Sequence, residues 1–261
     1  MPVEHRSRDR PHEAEFRFYE ELNDFLPPAR RRIAFTYAFG GTPSVKDAIE
    51  AIGVPHTEVD LVLIDGESVD FGRLLRGGEH VAVYPVFERL DIAPVTRLRA
   101  RPLRQTRFVL DVHLGKLARW LRLLGFDTLY RNDYDDDAIV ALSLAESRII
   151  LTRDRGLLKH GVVTHGHWVR ATAPRQQLVE IVGALDLRGS MHPFTRCLRC
   201  NGVLREVAKA AIIERLPPRV REHCEAFSQC QSCARVYWSG THYRRLRQLV
   251  LELEAKELHE K

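Results

Sequence analysis

The fold is decided by residues 107–154, RFVLDVHLGKLARWLRLLGFDTLYRNDYDDDAIVALSLAESRIILTRD. Residues 108–112 form a short apolar run typical of a strand, and leucines at helical spacing follow until Gly125 supplies a stop. Residues 128–131 predict a second strand, Asp135 stands where a helix N-cap belongs, and RIILT predicts a third strand. Two strand–helix units in tandem therefore predict an α/β domain with a parallel sheet.

Acidic residues stand where the predicted strands end. Asp111 ends the first strand, Asp154 ends the third, and three aspartates at 135–137 open the second helix. Loops and helix N-termini converge outside the carboxyl ends of parallel strands, so we expect at least three carboxylates at one edge. A hard divalent cation, Mg²⁺ or Mn²⁺, stabilises such a cluster and activates water against a phosphodiester. The alternative is that Asp135 only caps a helix and Asp154 only a turn.

Several segments of the chain resemble the Mut7-C RNase family. They are DVHLGKLARWLRLLGFD at 111–127, YDDDAIVALS at 134–143, RIILTRDRGLL at 148–158, and a paired-cysteine tail that ends in CARVYWSGTHY at 233–243. The resemblance covers residues 15–247. It implies a PIN-like nuclease whose acids hold divalent metal for RNA cleavage, followed by a zinc ribbon and preceded by a ubiquitin-like domain. Residue by residue, it implies that Asp111, Asp136 and Asp154 are the catalytic, metal-binding acids. No fourth acid is identified, because Asp186 lies too far along the chain.

Composition sets limits on the class of protein. The 261 residues are 44% hydrophobic, enough for one large domain or two to three small ones. A formal charge of +5 and a pI of about 9.1 favour a polyanionic partner, which the family resemblance implies is RNA. No apolar run reaches the roughly 18 residues of a membrane span, and no signal peptide is apparent. We therefore expect no membrane partner and a cytoplasmic location. The sequence gives no oligomeric state.

Residues 12–95 have the pattern of a β-grasp domain. Two alternating strand-like runs precede SVKDAIEAIGV, a helix predicted to be capped by Ser44 with Asp47 three residues on, and two further strands follow. The pattern resembles the ubiquitin-like domain that precedes Mut7-C, and more distantly sulfur-carrier proteins. Sulfur carriers need a free Gly-Gly C-terminus, whereas Gly77 and Gly78 are internal. We therefore expect a module that docks a protein partner or contacts RNA.

Cations surround the predicted acidic site. Residues 96–106 form a basic linker in which arginines alternate with apolar residues or proline, suited either to holding an RNA backbone or to a solvated hinge. In the nuclease domain the RNA-binding candidates are Lys116, Arg119, Arg122, Arg153, Arg155 and Arg170. The first three lie on the polar face of the first helix, where they bind phosphate or simply keep the helix soluble.

Two CxxC pairs lie in the last third of the chain. Cys197 and Cys200 form one pair and Cys230 and Cys233 the other, with 29 residues between Cys200 and Cys230. Four thiolates at these spacings predict a closed, structural Zn²⁺ site rather than a disulfide framework. Cys224 has no CxxC partner and is interpreted as a small buried residue or a free thiol.

The predicted architecture is therefore α/β: a ubiquitin-like β-grasp domain at 12–95, a linker at 96–106, a PIN-like parallel-sheet nuclease at 107–190, and a zinc ribbon with a C-terminal helix at 191–247. The favoured function is a metal-dependent ribonuclease with catalytic Mg²⁺ or Mn²⁺ and structural Zn²⁺. The alternative is a non-catalytic RNA-binding or adaptor protein whose acids are remnants.

Overall fold

The computed structural model describes residues 11–85 and 106–255. The chain divides into two compact units, one containing residues 1–104 and 154–167 and the other residues 105–153 and 168–261. Residues 86–95 of the predicted first domain, and the predicted linker up to residue 105, lie outside the described residues.

A five-stranded mixed sheet forms the N-terminal part. Its elements are β1 (His12–Phe18), β2 (Phe35–Phe39), α1 (Val45–Ile52), β3 (Val59–Ile64), β4 (Glu67–Ser68) and β5 (His80–Pro85), with three 3₁₀ turns at Glu20–Phe25, Pro28–Arg30 and His56–Glu58. The strand order is β2-β1-β5-β3-β4, with β1 parallel to β5 and the other pairs antiparallel. This arrangement is the β-grasp that the sequence predicts.

The predicted capped helix is confirmed. The Asp47 N–H donates to Ser44 Oγ at 3.2 Å and the Ser44 N–H donates to the Asp47 carboxylate at 3.3 Å, a reciprocal capping box. The helix ends at Gly53, whose φ of +126° suits glycine. Ile49 on α1 and Phe16 and Phe18 on β1 are buried at 1% exposure or less, so an alternating strand and an amphipathic helix supply the core.

The second sheet has four strands in the order β7-β6-β8-β9. Its elements are β6 (Arg107–Leu110), α2 (Gly115–Leu123), β7 (Asp127–Leu129), α3 (Asp136–Glu146), β8 (Ile149–Thr152), α4 (Arg155–Leu158), β9 (Gly166–Trp168) and α5 (Pro174–Ala184), with a 3₁₀ turn at Val112–Leu114. β6 pairs in parallel with both β7 and β8. The predicted parallel α/β sheet is confirmed, and its central strands are almost wholly apolar because both faces are covered.

The C-terminal part is a small antiparallel sheet followed by a helix. It comprises β10 (Leu204–Glu206), α6 (Lys209–Ile212), α7 (Pro218–His223), β11 (Phe227–Cys230), β12 (Val236–Trp238) and α8 (Thr241–Ala255), with 3₁₀ turns at Arg188–Ser190 and Ile213–Arg215. The sheet order is β10-β11-β12, and Ile212, Leu216 and Phe227 form its core. The helical insert between β10 and β11 accounts for the wide spacing of the cysteine pairs. None of the helices described at 11–85 and 106–255 is long and apolar enough to cross a bilayer.

Candidate active site and metal centre

Asp111 is fixed at the carboxyl end of β6. It is buried, with 8% of its surface exposed. Its Oδ2 accepts a hydrogen bond from the Thr152 hydroxyl at 2.8 Å, and its backbone N–H donates to the Leu151 carbonyl at 3.1 Å. Thr152, the last residue of the adjacent parallel strand β8, therefore orients the carboxylate, and the bond to Leu151 fixes the main chain of Asp111. The sequence predicted an acid at this strand end.

The other predicted acids lie at helix N-termini. Asp135 is the N-cap of α3, accepting the Ala138 N–H at 2.8 Å, and Asp136 is the exposed first residue of that helix. Asp154, in the other compact unit, caps α4 by accepting the Gly156 N–H at 2.7 Å, and it is also exposed. Helix N-termini stabilise negative charge, so the carboxylates at Asp136 and Asp154 are compatible with their local folds before any cation binds.

A groove of about 490 Å³ begins at the residue after Asp111. Val112, His113, Gly115, Lys116, Arg119, Tyr130, Arg153, Thr172, Pro174 and Gln177 line it. Lys116, Arg119 and Arg153 are exposed, so three positive side chains border it. The Tyr130 hydroxyl donates to the Val112 carbonyl at 3.0 Å. A Cβ at Gly115 would stand 2.6 Å from that hydroxyl, so any other residue at this position would require the Tyr130 side chain to move.

The remaining three RNA-binding candidates each contact other residues of the chain. Arg122 is buried at 4% exposure, and it donates from Nε to the Thr128 carbonyl at 2.9 Å and from Nη1 to the Arg199 carbonyl at 2.9 Å. Burial lowers its pKa, and it holds main chain rather than facing solvent. The guanidinium of Arg155 lies over the Phe25 ring, and that of Arg170 lies over the Trp168 ring. Because Arg122 does not face solvent, we do not propose that it contacts RNA. For Arg155 and Arg170, RNA binding stays a prediction.

The segment that begins at Asp154 packs on the helix of the N-terminal sheet, within one compact unit. Lys46 on α1 donates to the Gly161 carbonyl at 2.9 Å, and Lys159 donates to the Glu50 carbonyl at 3.0 Å. His56 contacts the Val163 carbonyl through Nε2 at 2.6 Å. Sequence reasoning missed these contacts, because they join residues more than 100 positions apart.

The two cysteine pairs form one cluster. The sulfurs of Cys197, Cys200, Cys230 and Cys233 all lie within 4.8 Å of one another, with 3.6 Å between Cys197 and Cys233 and 3.4 Å between Cys200 and Cys230. A tetrahedral Zn²⁺ with Zn–S bonds of about 2.3 Å requires sulfurs about 3.8 Å apart. The donor set therefore fits a metal ion. Among residues 11–85 and 106–255, these four cysteines are the one group of at least three His, Cys, Asp or Glu residues whose ligand atoms lie close enough together to hold a metal ion. Asp111, Asp136 and Asp154 do not form such a group.

Both cysteine turns have the same local geometry. The residue after each pair, Asn201 or Ala234, has a left-handed φ of +71° or +56° and donates its N–H to the carbonyl of the first cysteine at 3.0 Å. The Cys230 sulfur also accepts the N–H groups of Ser232 and Cys233 at 3.4 Å. These turns direct both sulfurs of each pair to one point, as a structural metal site requires.

The electrostatics of the thiols support the same interpretation. Burial acts to raise the pKa of Cys197, but hydrogen bonds from the Tyr237 hydroxyl and from backbone N–H groups outweigh it and lower that pKa to about 6. Burial and contacts with the other three thiols raise the pKa of Cys200 to about 12. A metal-free cluster thus favours one thiolate over several. A cation is required to hold all four sulfurs deprotonated together.

The first cysteine turn is joined to the edge strand of the parallel sheet. The carboxylate of Asp127 on β7 accepts from Asn201 Nδ2 at 2.7 Å and from Arg148 Nη1 at 2.8 Å, and Arg196 lies 3.4 Å away. Asn201 also accepts the Thr128 N–H at 3.0 Å. Sequence reasoning missed this network. The Asn-Gly that follows the cysteine pair is a signal for a left-handed turn, but nothing local indicates its distant partner.

Comparison with known families gives two matches. A model described as the Mut7-C RNAse domain matches residues 106–250, more than half of the chain, and a model described as Mut7-C ubiquitin matches residues 11–91. No curated protein and no solved structure matches the chain.

Proposed function

Because the chain belongs to the Mut7-C RNase family, we propose that it is a metal-dependent ribonuclease that hydrolyses RNA phosphodiester bonds at Asp111, Asp136 and Asp154. The observation that carries the proposal is the buried carboxylate of Asp111, which Thr152 orients and which directly precedes Val112 in the lining of a groove bordered by cations. A site for phosphodiester cleavage needs both a fixed acid and positive charge for the phosphate, and these occur together here.

The acids suit Mg²⁺ or Mn²⁺ because both ions prefer oxygen ligands and are held by one or two carboxylates plus water. Asp111 would supply the anchored ligand, and the exposed Asp136 and Asp154 would complete the set. When bound, such an ion lowers the pKa of a water molecule and polarises the phosphate. The chain itself contributes the orientation of Asp111 and the electrostatic attraction of RNA.

Lys116, Arg119 and Arg153 are proposed to hold the RNA backbone along the groove. Their cationic groups are exposed, and phosphate contacts of this kind supply most sequence-independent affinity for nucleic acid. The half-exposed Tyr130 stands among them, anchored by its hydroxyl. This arrangement favours a backbone contact without sequence preference.

The cysteine cluster is proposed to bind one structural Zn²⁺. Four sulfur ligands leave no open coordination position, so the site stabilises the fold and does not catalyse. The β-grasp domain is proposed to dock a protein partner, and its contacts with Gly161 and Val163 also brace the segment that follows Asp154. The expected cytoplasmic location remains part of this proposal.

The decisive experiment is a cleavage assay on a mixture of labelled single-stranded and hairpin RNA, with Mg²⁺ or Mn²⁺ titrated. We expect Asp111→Asn, Asp136→Asn and Asp154→Asn each to lower the rate by about a hundredfold or more, since the lost charge stabilisation is worth roughly 3 kcal/mol. Asp137→Asn is the matched control, because it removes an exposed neighbouring charge from the same helix end. If all three variants cleave at the wild-type rate, or if excess chelator leaves the wild type active, the adaptor function takes the place of this proposal.

A further inference from the structure

A second groove, of about 730 Å³, lies between the small antiparallel sheet and α8. Its volume falls within the roughly 300–1,000 Å³ of small-ligand pockets. Four partly exposed aromatic side chains border it: Phe194, Tyr237, Trp238 and Tyr243. It is formed from residues 123 and 194–246, so the groove is distinct from the one beside Asp111.

The rings that border this groove are held in place. The Phe194 and Tyr243 rings contact each other with centroids 4.5 Å apart. The Tyr237 hydroxyl bonds the Cys197 sulfur and accepts the Leu198 N–H, each at 3.1 Å. Trp238 packs on the core of the small sheet. Fixed aromatic surfaces bind flat groups at low cost in conformational entropy.

Charge around the groove indicates which flat group it takes. Arg244, Arg245 and Arg247 are exposed cations on the first half of α8, the helix whose residues 241–243 and 246 line the groove, and they themselves lie outside the lining. The lining contains the carboxylates of Glu206 and Glu225 and the guanidinium of Arg196. Glu225 pairs with Lys209 at 2.6 Å, and Arg196 lies 3.4 Å from the carboxylate of Asp127. Acidic groups within the lining disfavour a phosphate there, while a carboxylate accepts hydrogen bonds from the amino group of a base. A nucleobase in the groove, with its phosphates along α8, would match both the carboxylates in the lining and the arginines of the helix.

We propose that this groove binds an unpaired nucleobase of an RNA strand, with the base stacked against the aromatic side chains that border the groove and the backbone along the arginines of α8. The proposal rests on the ribonuclease function, because it takes the same substrate class to a second site. Stacking of bases on aromatic side chains is the common means of holding single strands without strong sequence preference. The protein would therefore favour single-stranded over fully paired RNA.

The test uses tryptophan fluorescence in the full-length protein. In Trp120→Phe/Trp168→Phe, Trp238 is the remaining tryptophan and reports on the groove. The probes are a single-stranded hexanucleotide RNA and an abasic hexamer of equal charge, both added without divalent cation so that cleavage does not intervene. We expect the RNA to quench Trp238 and the abasic strand to leave it unchanged. Equal quenching by the two strands would overturn the proposal.

Affinity variants separate stacking from folding effects. Tyr243→Ala should weaken binding of the hexanucleotide about tenfold, equally at low and at moderate salt because stacking releases no counterions. Tyr243→Phe, which keeps the ring, should bind as the wild type does. Tyr243→Leu keeps an apolar side chain against Phe194 but removes the aromatic ring, so it should fold and should also weaken binding of the hexanucleotide. It replaces Tyr243→Ala in this test if Tyr243→Ala misfolds. Wild-type affinity in Tyr243→Leu, or preferential binding of an apolar peptide, would refute base binding. A failure of the ribonuclease site appears separately, as inactivity in the cleavage assay with this binding intact.

Discussion

Asn201, the residue that follows the first cysteine pair, donates its side-chain amide to the carboxylate of Asp127 on the edge strand of the parallel sheet, at 2.7 Å. Its side-chain oxygen accepts the backbone N–H of Thr128 at 3.0 Å. Arg122, on α2, reaches the carbonyls of the same cysteine turn. The cysteine turn is thus bonded to the parallel sheet through main chain and side chain. The proposed zinc site and the parallel sheet belong to one packed structure.

We expect Asn201→Gly to lower the free energy of unfolding by about 1–3 kcal/mol, because it leaves the buried Thr128 N–H and one lone pair of Asp127 without their partner. Glycine tolerates the φ of +71° at this position, so the change removes the side chain without adding strain. Urea denaturation of the variant and the wild type measures this loss of stability. Asn132→Gly, in an exposed turn, is the matched control for the added chain entropy, and an equal loss there would contradict a specific role for Asn201.

The pH dependence of stability tests the charge on Asp127. Burial acts to raise the pKa of this carboxyl, but hydrogen bonds from Arg148 and Asn201 and the charges of Arg148 and Arg196 outweigh it and hold the pKa below its ordinary value. Because the pKa of Asp127 is lower in the folded protein, the ionised carboxylate stabilises the fold fully above about pH 3.9, the ordinary pKa of an aspartate in the unfolded chain. This stabilisation is lost as the pH falls through the pKa of the folded state.

Asp127→Asn should therefore be less stable than the wild type by about 1–3 kcal/mol at pH 7, since Arg148, 4% exposed, loses an ionic partner. The difference should narrow as the pH falls below about 4. Urea unfolding of both proteins between pH 7 and pH 3 measures it, and any acid loss of metal is common to the two. A difference in the free energy of unfolding that stays constant between pH 7 and pH 3 would contradict a lowered pKa for Asp127. Asp133→Asn, which removes a fully exposed carboxylate paired with Arg131, should leave the urea midpoint unchanged.

Local sequence patterns predicted the helices and strands, but they predicted few of the contacts between distant segments. Short-range rules predict the capping residues Ser44 and Asp135 and the end of β6 just before Asp111, because each depends on neighbours within four residues. Arg122 shows the limit. Its position on the polar face of α2 predicted solvent exposure, but the cysteine turn, 76 residues away, covers it. Spacing along one helix does not reveal which distant segment packs on its polar face.

Zinc removal should expose the link between the cysteine cluster and the sheet. We expect one zinc per chain by elemental analysis, and none in Cys230→Ser, whose sulfur accepts two backbone N–H groups. Because metal binding contributes directly to folding, hydrogen exchange should quicken first at residues 197–240 and then along β7. Cys224→Ser, outside the cluster, should keep its zinc. Native protein without zinc would exclude the site.

The cation-lined groove predicts the salt dependence of RNA binding. Lys116→Ala/Arg119→Ala removes two exposed cations from it, so the slope of log affinity against log salt should fall by roughly 1.4 for a single strand. Fluorescence anisotropy with a labelled RNA strand at several salt concentrations measures this slope. Arg219→Ala, an exposed arginine on α7 that lines neither groove, should leave the slope unchanged. An unaltered slope in the double variant would place the RNA backbone elsewhere.

Thr152 offers a test of the proposed active site that leaves every acid in place. Its hydroxyl, on a fully buried residue, donates to Asp111 Oδ2 at 2.8 Å, and valine has nearly the same shape without that donor. Hydrogen bonds that orient a metal ligand are typically worth 10–100-fold in metal affinity or activity. Thr152→Val should therefore lower the cleavage rate within that range and raise the Mn²⁺ concentration needed for half-maximal activity, while the free energy of unfolding changes by about 1 kcal/mol.

Thr152→Ser keeps the hydroxyl and should retain the wild-type dependence on Mn²⁺, which separates the hydrogen bond from packing at β8. If Thr152 acts through Asp111, the double variant Thr152→Val/Asp111→Asn should be no slower than Asp111→Asn alone, because the group that Thr152 orients is then already changed. Additive losses would show that Thr152 acts by another route. A wild-type Mn²⁺ dependence in Thr152→Val would mean that the anchored carboxylate of Asp111 is not a ligand of the catalytic ion.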